Sequence, residues 1–214
     1  SGTVGPPGQS RPVVVAPAID RRPALIVYEG AHHDLVALEA PADGTAEPSI
    51  LWRVPGAGPA VFADLDGDGN ADVVSCCEGR TRTVYFHWSP VNDPQREVLP
   101  WRTAAVPATT GKQSWMFALP LQSDGGGMDL VLGSKGGGAT IGWLRSPKNP
   151  RDVKAWQYHP WYNAGWIMSL IKHDMDGDGD LDVLASDRKS KTPGVLWLEN
   201  PGTKAMQSEP TRRW

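Results

Sequence analysis

Short apolar runs separated by glycine- and proline-rich turns recur along the chain at an interval of about 50 residues. Four of these runs, such as TVYFHWSP and GVLWLENP, end in a proline. The four prolines are Pro41, Pro90, Pro147 and Pro201. A tryptophan follows each proline at a similar interval, and these residues are Trp52, Trp101, Trp156 and Trp214. Two independent markers therefore indicate four units of similar length.

Each unit contains three apolar runs before its tryptophan, and the middle run is unbroken, as in ADVVSCCEG and MDLVLGSKG. A continuous run rich in β-branched residues is typical of a strand that is covered on both faces. Helical periodicity is absent between the runs. Units of four short strands that pack face to face predict an all-β fold of antiparallel β-propeller blades. A two-sheet sandwich with a coincidental period is the alternative.

The spacing divides the chain into a flexible N-terminal segment, residues 1–11, and about four blades. The blades cover residues 12–56, 57–107, 108–162 and 163–214. The last blade is predicted to be incomplete, because the tryptophan equivalent to Trp214 opens the outer strand in the other units. We expect the missing part of the propeller to come from a longer C-terminal region, a second polypeptide or a copy of this chain. An outer strand supplied by residues 11–15 would contradict that expectation.

Two acidic loops, DLDGDGNAD and DMDGDGDLD, lie between the first and second runs of units two and four. Their candidate ligands are Asp64, Asp66, Asp68, Asn70, Asp72, Asp174, Asp176, Asp178, Asp180 and Asp182. Carboxylates at loop positions 1, 3, 5 and 9, with a backbone carbonyl from position 7, provide the hard oxygen ligands that Ca²⁺ requires. Glycine at position 6 permits the sharp turn. Because so many carboxylates repel one another without a cation, the sequence predicts two Ca²⁺ sites.

An EF-hand has a similar loop, but it needs a bidentate glutamate at position 12 and a helix on each side. Position 12 is Ser75 in one loop and Ala185 in the other, and the flanks VVSCC and VLASD are typical of strands. The equivalent turns of units one and three, around Asp20 and Asp124, have too few carboxylates. We expect those two turns to be free of metal.

The segments PAVFADLDGDGNADVV and SLIKHDMDGDGDLDVLAS resemble FG-GAP/VCBS repeats, the calcium-loop propeller blades of integrin α-chain heads and of many secreted bacterial proteins. The resemblance covers nearly the whole chain from about residue 12, with two strong and two weak units. It implies a propeller of seven blades, in which structural Ca²⁺ ties the first strand of a blade to the second. Residues 165–202 also resemble the propeller of aldos-2-ulose dehydratase-like proteins.

Composition narrows the class of partner. The formal net charge is -3 and the chain has no basic run, which argues against a nucleic-acid partner. No apolar stretch approaches the roughly 20 residues that a membrane span needs. The two cysteines, Cys76 and Cys77, are adjacent, and we expect buried free thiols rather than a strained vicinal disulfide.

Two functions fit these residues. In the first, the protein binds carbohydrate or protein. Three tryptophans at or before the channel-lining strands could then stack on a sugar, and the alternative is that they pack between blades. Those residues are Trp115, Trp161 and Trp166. The alternative is a sugar dehydratase or polysaccharide lyase, in which a base abstracts a proton next to a carbonyl. Residues that could serve it are Tyr28, His32, His33, Lys172, His173 and Arg188, although none lies in a known catalytic signature and the catalytic residues stay unknown.

The preferred interpretation is a calcium-stabilised, extracytoplasmic propeller that acts in binding or assembly. Acidic loops of the extracellular type fill at roughly 0.1–1 mM Ca²⁺, a concentration found outside the cytoplasm. We therefore expect a secreted, periplasmic or cell-surface protein.

Overall fold

The structure is a computed structural model that describes residues 60–89, 101–122, 126–209 and 214 with their side chains. Five backbone segments are also described as strand, at residues 13–15, 24–29, 34–39, 49–54 and 57–59. The chain divides into two compact units, Ser1–Pro55 and Gly56–Trp214. The segment 1–11, for which flexibility is predicted, lies outside the described residues.

The first unit contains an antiparallel sheet in the order β1-β2-β3-β4, called sheet one. Its strands are β1 (Val13–Val15), β2 (Ala24–Glu29), β3 (Asp34–Glu39) and β4 (Ser49–Val54). Val14 pairs with Ile26, so β1 belongs to the same sheet as β2. Residues 13–15 therefore form a strand of sheet one.

The second unit contains three antiparallel sheets within its described residues. Sheet two consists of β5 (Ala57–Ala63), β6 (Asp72–Cys77), β7 (Val84–Trp88) and β8 (Arg102–Ala105). Sheet three consists of β9 (Ser114–Leu121), β10 (Asp129–Lys135), β11 (Thr140–Arg145) and β12 (Gln157–Asn163). Sheet four consists of β13 (Ile167–His173), β14 (Asp182–Asp187) and β15 (Gly194–Leu198), and helix α1 (Thr203–Ser208) follows it.

The predicted β-rich fold with four-stranded antiparallel sheets is confirmed. The segment after β15 contains a short helix that the sequence does not predict. Trp214 stacks on Trp161 of sheet three with ring centroids 4.2 Å apart, and α1 places Met206 in the same apolar cluster. A six-residue helix is shorter than two turns and leaves no periodic pattern that could predict it. No helix in the described part of the chain is long and apolar enough to cross a bilayer.

Sheets two, three and four pack against one another in sequence order. Strands β5 and β6 contact β9, and β13 contacts β9 and β10. One apolar core, which includes Phe86 and Trp115, lies between sheets two and three. A second core, which includes Trp143 and Ile167, lies between sheets three and four. Strand β6 is buried along its whole length, as its unbroken apolar pattern predicts.

One register position is covered in sheets two and three but exposed in sheet four. The equivalent cross-strand pairs are Val74–Phe86, Val131–Trp143 and Leu184–Trp197. Phe86 and Trp143 are fully buried, whereas Trp197 is 47 % exposed. On the same face, Val195 is 76 % and Ile171 is 56 % exposed. Sheet four therefore has an apolar face that the described residues leave largely uncovered.

The two cysteines are free thiols at the end of β6, and both are fully buried, as expected. Burial is the main reason why the pKa of Cys76 lies well above its ordinary value, and the neighbouring Cys77 adds to this shift. A neutral, buried thiol is chemically inert, so Cys76 has a packing role.

Candidate metal centre

Both acidic loops connect the first strand of a sheet to its second strand. One loop joins β5 to β6 in sheet two, and the other joins β13 to β14 in sheet four, so they lie at corresponding ends of the two sheets. The glycines at loop position 6, Gly69 and Gly179, have φ angles of 87° and 95°. Side chains strain the backbone in this left-handed region, which explains why the loops use glycine there.

The first aspartate of each loop binds the loop backbone in the same way. Asp64 Oδ1 accepts the N–H of position 4 at 2.8 Å, and its Oδ2 accepts the N–H of position 6 at 3.0 Å. The corresponding distances at Asp174 are 2.7 Å and 3.2 Å. Asp66 and Asp176, at position 3, each accept the N–H of position 5 at 3.2 Å. The two loops therefore share one hydrogen-bonded frame.

The last aspartate of each loop is buried and ties the loop to the end of the third strand. Asp72 Oδ2 accepts the N–H of loop position 2 at 3.1 Å, and its Oδ1 accepts the N–H of Ser89 at 2.8 Å. Asp182 makes the equivalent bonds at 3.0 Å and, with Asn200, at 2.8 Å. Burial outweighs these hydrogen bonds at Asp72 and raises the pKa of its carboxyl to about 6.

Sheet three keeps this last aspartate without the rest of the ligand set. Asp129 is buried, and its Oδ1 accepts the N–H of Ser146 at 2.7 Å. Asp124 of the preceding turn lies outside the described residues. Sheet three has Asp129 at position 9 but lacks the DxDGD motif. The aspartate at position 9 therefore has a structural role as a buried hydrogen-bond acceptor, even where positions 1, 3 and 5 are not acidic. This turn remains predicted to be free of metal.

Three carboxylates of each loop converge on a small volume. One oxygen from each of Asp64, Asp66 and Asp72 lies within 4.8 Å of the others. In the second loop the corresponding group is Asp174, Asp176 and Asp178. Asp68 and Asp182, which the sequence assigns to the same two sites, lie outside these groups. Partial burial and the neighbouring carboxylates raise the pKa of Asp180 to about 6, which indicates strong negative potential in the second loop.

Arg151, in the connection between β11 and β12 of sheet three, reaches the first loop. Its Nε donates to Asp66 Oδ2, and its Nη2 lies 3.3 Å from Asp68 Oδ2. The guanidinium carbon also lies 5.2 Å from the ring centroid of Trp88. Within the described residues, the second loop forms no ion pair of this kind. Arg151 is therefore a further difference between the two loops, and the sequence gives no signal for this contact.

The donor set fits Ca²⁺. All converging ligands are carboxylate oxygens, which a hard cation prefers. A carboxylate has about four lone-pair sites, so an oxygen that accepts a backbone N–H can still coordinate a cation. Asp64 and Asp66 line an open cleft of about 700 Å³ together with Arg145 and Lys148. Ions from solvent can therefore reach the first loop. A bound cation would remove the repulsion between the converging carboxylates.

No protein-family model and no curated protein matches this chain. The assignment of the loops therefore rests on their own donor atoms and on their duplication within the chain.

Stacking on a sugar and packing between sheets are the two roles considered for three tryptophans, and the structure decides between them at two of the three positions. Trp115 and Trp161 are buried in the cores, so they pack between sheets and cannot stack on a sugar. Trp166 is half-buried and lies beside Arg188, whose guanidinium carbon is 5.2 Å from its ring centroid. The structure therefore leaves Trp166 as the indole that a ligand can reach among these three.

The residues considered for proton abstraction do not form one site among the described residues. Lys172 Nζ donates to the carbonyl of Pro120 at 3.0 Å, and His173 is exposed at the end of β13 next to the second loop. Arg188 lies at the opposite end of sheet four. His32, His33 and the side chain of Tyr28 lie outside the described residues. His87 lies between Ser75 and Thr103, and burial lowers its pKa to about 3, so this imidazole is a neutral structural group.

We expect Arg151→Gln to increase the Ca²⁺ affinity of the first loop about three- to tenfold, because the guanidinium no longer competes for Asp66 and Asp68. Isothermal titration calorimetry of the variant in an Asp176→Ala background, which disables the second loop, measures this affinity alone. Lys148→Gln is the matched control, since it removes a positive charge beside the same cleft without breaking an ion pair to the loop. An unchanged or weaker affinity in Arg151→Gln contradicts the prediction.

Proposed function

We propose that the protein is a calcium-stabilised β-propeller that serves as a binding or assembly module outside the cytoplasm, with carbohydrate or protein as its ligand. The observation that supports Ca²⁺ is the duplicated loop. Both copies have the same backbone frame, and each converges three carboxylates to within 4.8 Å. Ca²⁺ held there would join the first strand of a sheet to its second strand and to the turn after its third strand.

The propeller is supported by the order in which the sheets pack. Sheets two, three and four succeed one another face to face, and equivalent register positions meet the next sheet each time. The residue that would meet a further sheet is Trp197, together with Ile171 and Val195, and all three are exposed. Large exposed apolar patches are unusual on a monomer. A further sheet of the same kind, from the same or a second polypeptide, packs on this face in the complete propeller that we propose.

The Ca²⁺ affinity expected of the two loops supports a location outside the cytoplasm. The sites are built from exposed loops, and extracellular modules of this kind bind Ca²⁺ at roughly 0.1–1 mM. The cytoplasm does not supply that concentration, so loops of this affinity are filled only outside it.

Thermal unfolding with and without Ca²⁺ tests the proposal. An ion that binds the folded chain alone stabilises it by about 2.7 kcal/mol for each site when its concentration is 100 times Kd. We therefore expect the melting temperature to rise with Ca²⁺ and to fall on addition of a chelator. Magnesium at equal concentration should produce a smaller rise, because Mg²⁺ demands a near-ideal octahedron and gives up its water ligands reluctantly. Identical melting curves in Ca²⁺ and chelator contradict the proposal.

A further inference from the structure

Three cationic side chains surround one indole at the end of the sheets opposite the acidic loops. Lys135 Nζ and Lys189 Nζ each lie 4.7 Å from the ring centroid of Trp166, and Arg188 Cζ lies 5.2 Å from it. Lys135 ends β10, whereas Arg188 and Lys189 begin the turn between β14 and β15. We call Lys135, Trp166, Arg188 and Lys189 the basic cluster.

The backbone holds the basic cluster in place. The N–H of Arg188 donates to the carbonyl of Trp166 at 2.9 Å. Asp187 accepts the N–H groups of Gly165 and Trp166, both at 2.9 Å, and that of Lys189 at 3.1 Å. A Cβ on Gly165 would lie 2.2 Å from the carbonyl of Lys189, so only glycine permits this approach of the two segments. The positions of the cations are therefore set before a ligand arrives.

Positive charge in this region is only partly compensated. Lys135 pairs with Glu78, and Asp187 is buried with its oxygens facing backbone N–H groups. Arg188 and Lys189 form no ion pair with any described residue. The turns and strand ends on this side of the second unit carry seven basic and two acidic residues in the described part of the chain. The basic residues are Arg80, Arg82, Lys112, Lys135, Arg188, Lys189 and Lys191.

We propose that the basic cluster binds an acidic oligosaccharide of the uronate type. A guanidinium and an ammonium side by side fit a carboxylate, and the guanidinium can bind both of its oxygens. All three cations lie over the indole ring, so a pyranose ring would pack against the part of Trp166 that stays exposed rather than across a free ring face. A neutral sugar can accept hydrogen bonds from the two uncompensated cations but lacks the charge that makes such bonds strong. This inference rests on the proposed binding function and names the ligand class for it, but it does not require Ca²⁺ at the acidic loops.

A long nucleic acid fits the cluster less well than a short acidic sugar. The basic side chains occupy one end of the unit, whereas the two acidic loops occupy the other and repel phosphates. The formal charge of the whole chain is -3. A ligand that extends far beyond the cluster therefore meets unfavourable potential.

Calorimetric titration with tetragalacturonate tests the inference, with maltotetraose as the neutral sugar of equal length. Chelator is present throughout, because uronates themselves bind Ca²⁺. We expect the wild-type chain to bind tetragalacturonate and not maltotetraose. The double substitution Arg188→Gln/Lys189→Gln should weaken binding at least about tenfold, since two charge-assisted hydrogen bonds are lost. The matched double substitution Lys148→Gln/Lys154→Gln, at the opposite end of sheet three, should leave it unchanged.

Three results overturn the inference: equal binding of maltotetraose, tetragalacturonate binding that survives Arg188→Gln/Lys189→Gln, or tighter binding of a tetraglutamate peptide or a single-stranded oligonucleotide of equal charge. Circular dichroism confirms that each variant is folded. If the chain binds uronate but not Ca²⁺, only the calcium proposal is wrong. Ca²⁺ binding without uronate binding removes this inference alone.

Discussion

Asp182→Ala is expected to lower the free energy of unfolding by about 2–4 kcal/mol, even when Ca²⁺ is absent. Asp182 is buried and accepts two backbone N–H groups, from Met175 at 3.0 Å and from Asn200 at 2.8 Å. Alanine leaves both donors without their acceptor in a site that excludes water. Urea denaturation in chelator measures this effect separately from any loss of metal binding.

The matched control for Asp182→Ala is Asp152→Ala. Asp152 also accepts a backbone N–H, from Lys154 at 3.2 Å, but it is exposed and water can replace it. We expect this control to cost less than about 1 kcal/mol. In chelator, Asp129→Ala in sheet three should lower the free energy of unfolding as much as Asp182→Ala does. Both substitutions remove a buried acceptor of a backbone N–H, and Asp129 has no DxDGD loop beside it. A loss at Asp182 that occurs only with Ca²⁺ present contradicts the structural role of this residue.

Phe86→Ala is expected to destabilise the chain by about 3–5 kcal/mol. Phe86 is fully buried between sheets two and three, and its ring meets Trp156 edge to face at 4.8 Å and Trp88 at 5.5 Å. Alanine leaves a cavity that the surrounding strands cannot close. The change in urea midpoint at constant slope measures the loss.

Trp197→Ala is the control for Phe86→Ala, because it removes an aromatic side chain at the equivalent register position where the side chain is exposed. Trp197 occupies the equivalent register position in sheet four, opposite Leu184, but half of its surface faces solvent. We expect this substitution to cost about 1 kcal/mol in a monomeric sample, although the residue is larger than phenylalanine. Equal losses at the two positions would show that the face around Trp197 is already covered in solution.

Local patterns predicted the elements that depend on neighbours in sequence. Unbroken apolar runs such as ADVVSCCEG predicted strands buried on both faces, and β6 is such a strand. The glycines at position 6 of the acidic loops have the left-handed φ that the turn requires. The stacking of Trp214 on Trp161 could not be predicted, because it depends on packing between sheets.

The charged contacts that distinguish the sites depend on residues far apart in the chain. Arg151 and Asp66 are 85 residues apart, and no motif links them. The basic cluster takes Lys135 from one turn and Arg188 and Lys189 from another, so the sequence has no basic run that reports it. Alignment of the repeated units could have indicated the basic cluster. It places the turns after the second strands of sheets two, three and four at one end, and these turns carry the basic residues.

Counting the Ca²⁺ ions bound by each chain is the most direct test of whether both acidic loops are Ca²⁺ sites. Equilibrium dialysis or calorimetry at up to about 1 mM Ca²⁺, the range of extracellular sites, covers the expected affinities. We expect two ions for the wild-type chain, one for Asp66→Ala and for Asp176→Ala, and none for the double variant. Absence of bound Ca²⁺ in the wild-type chain, or two ions retained by the double variant, would contradict this expectation.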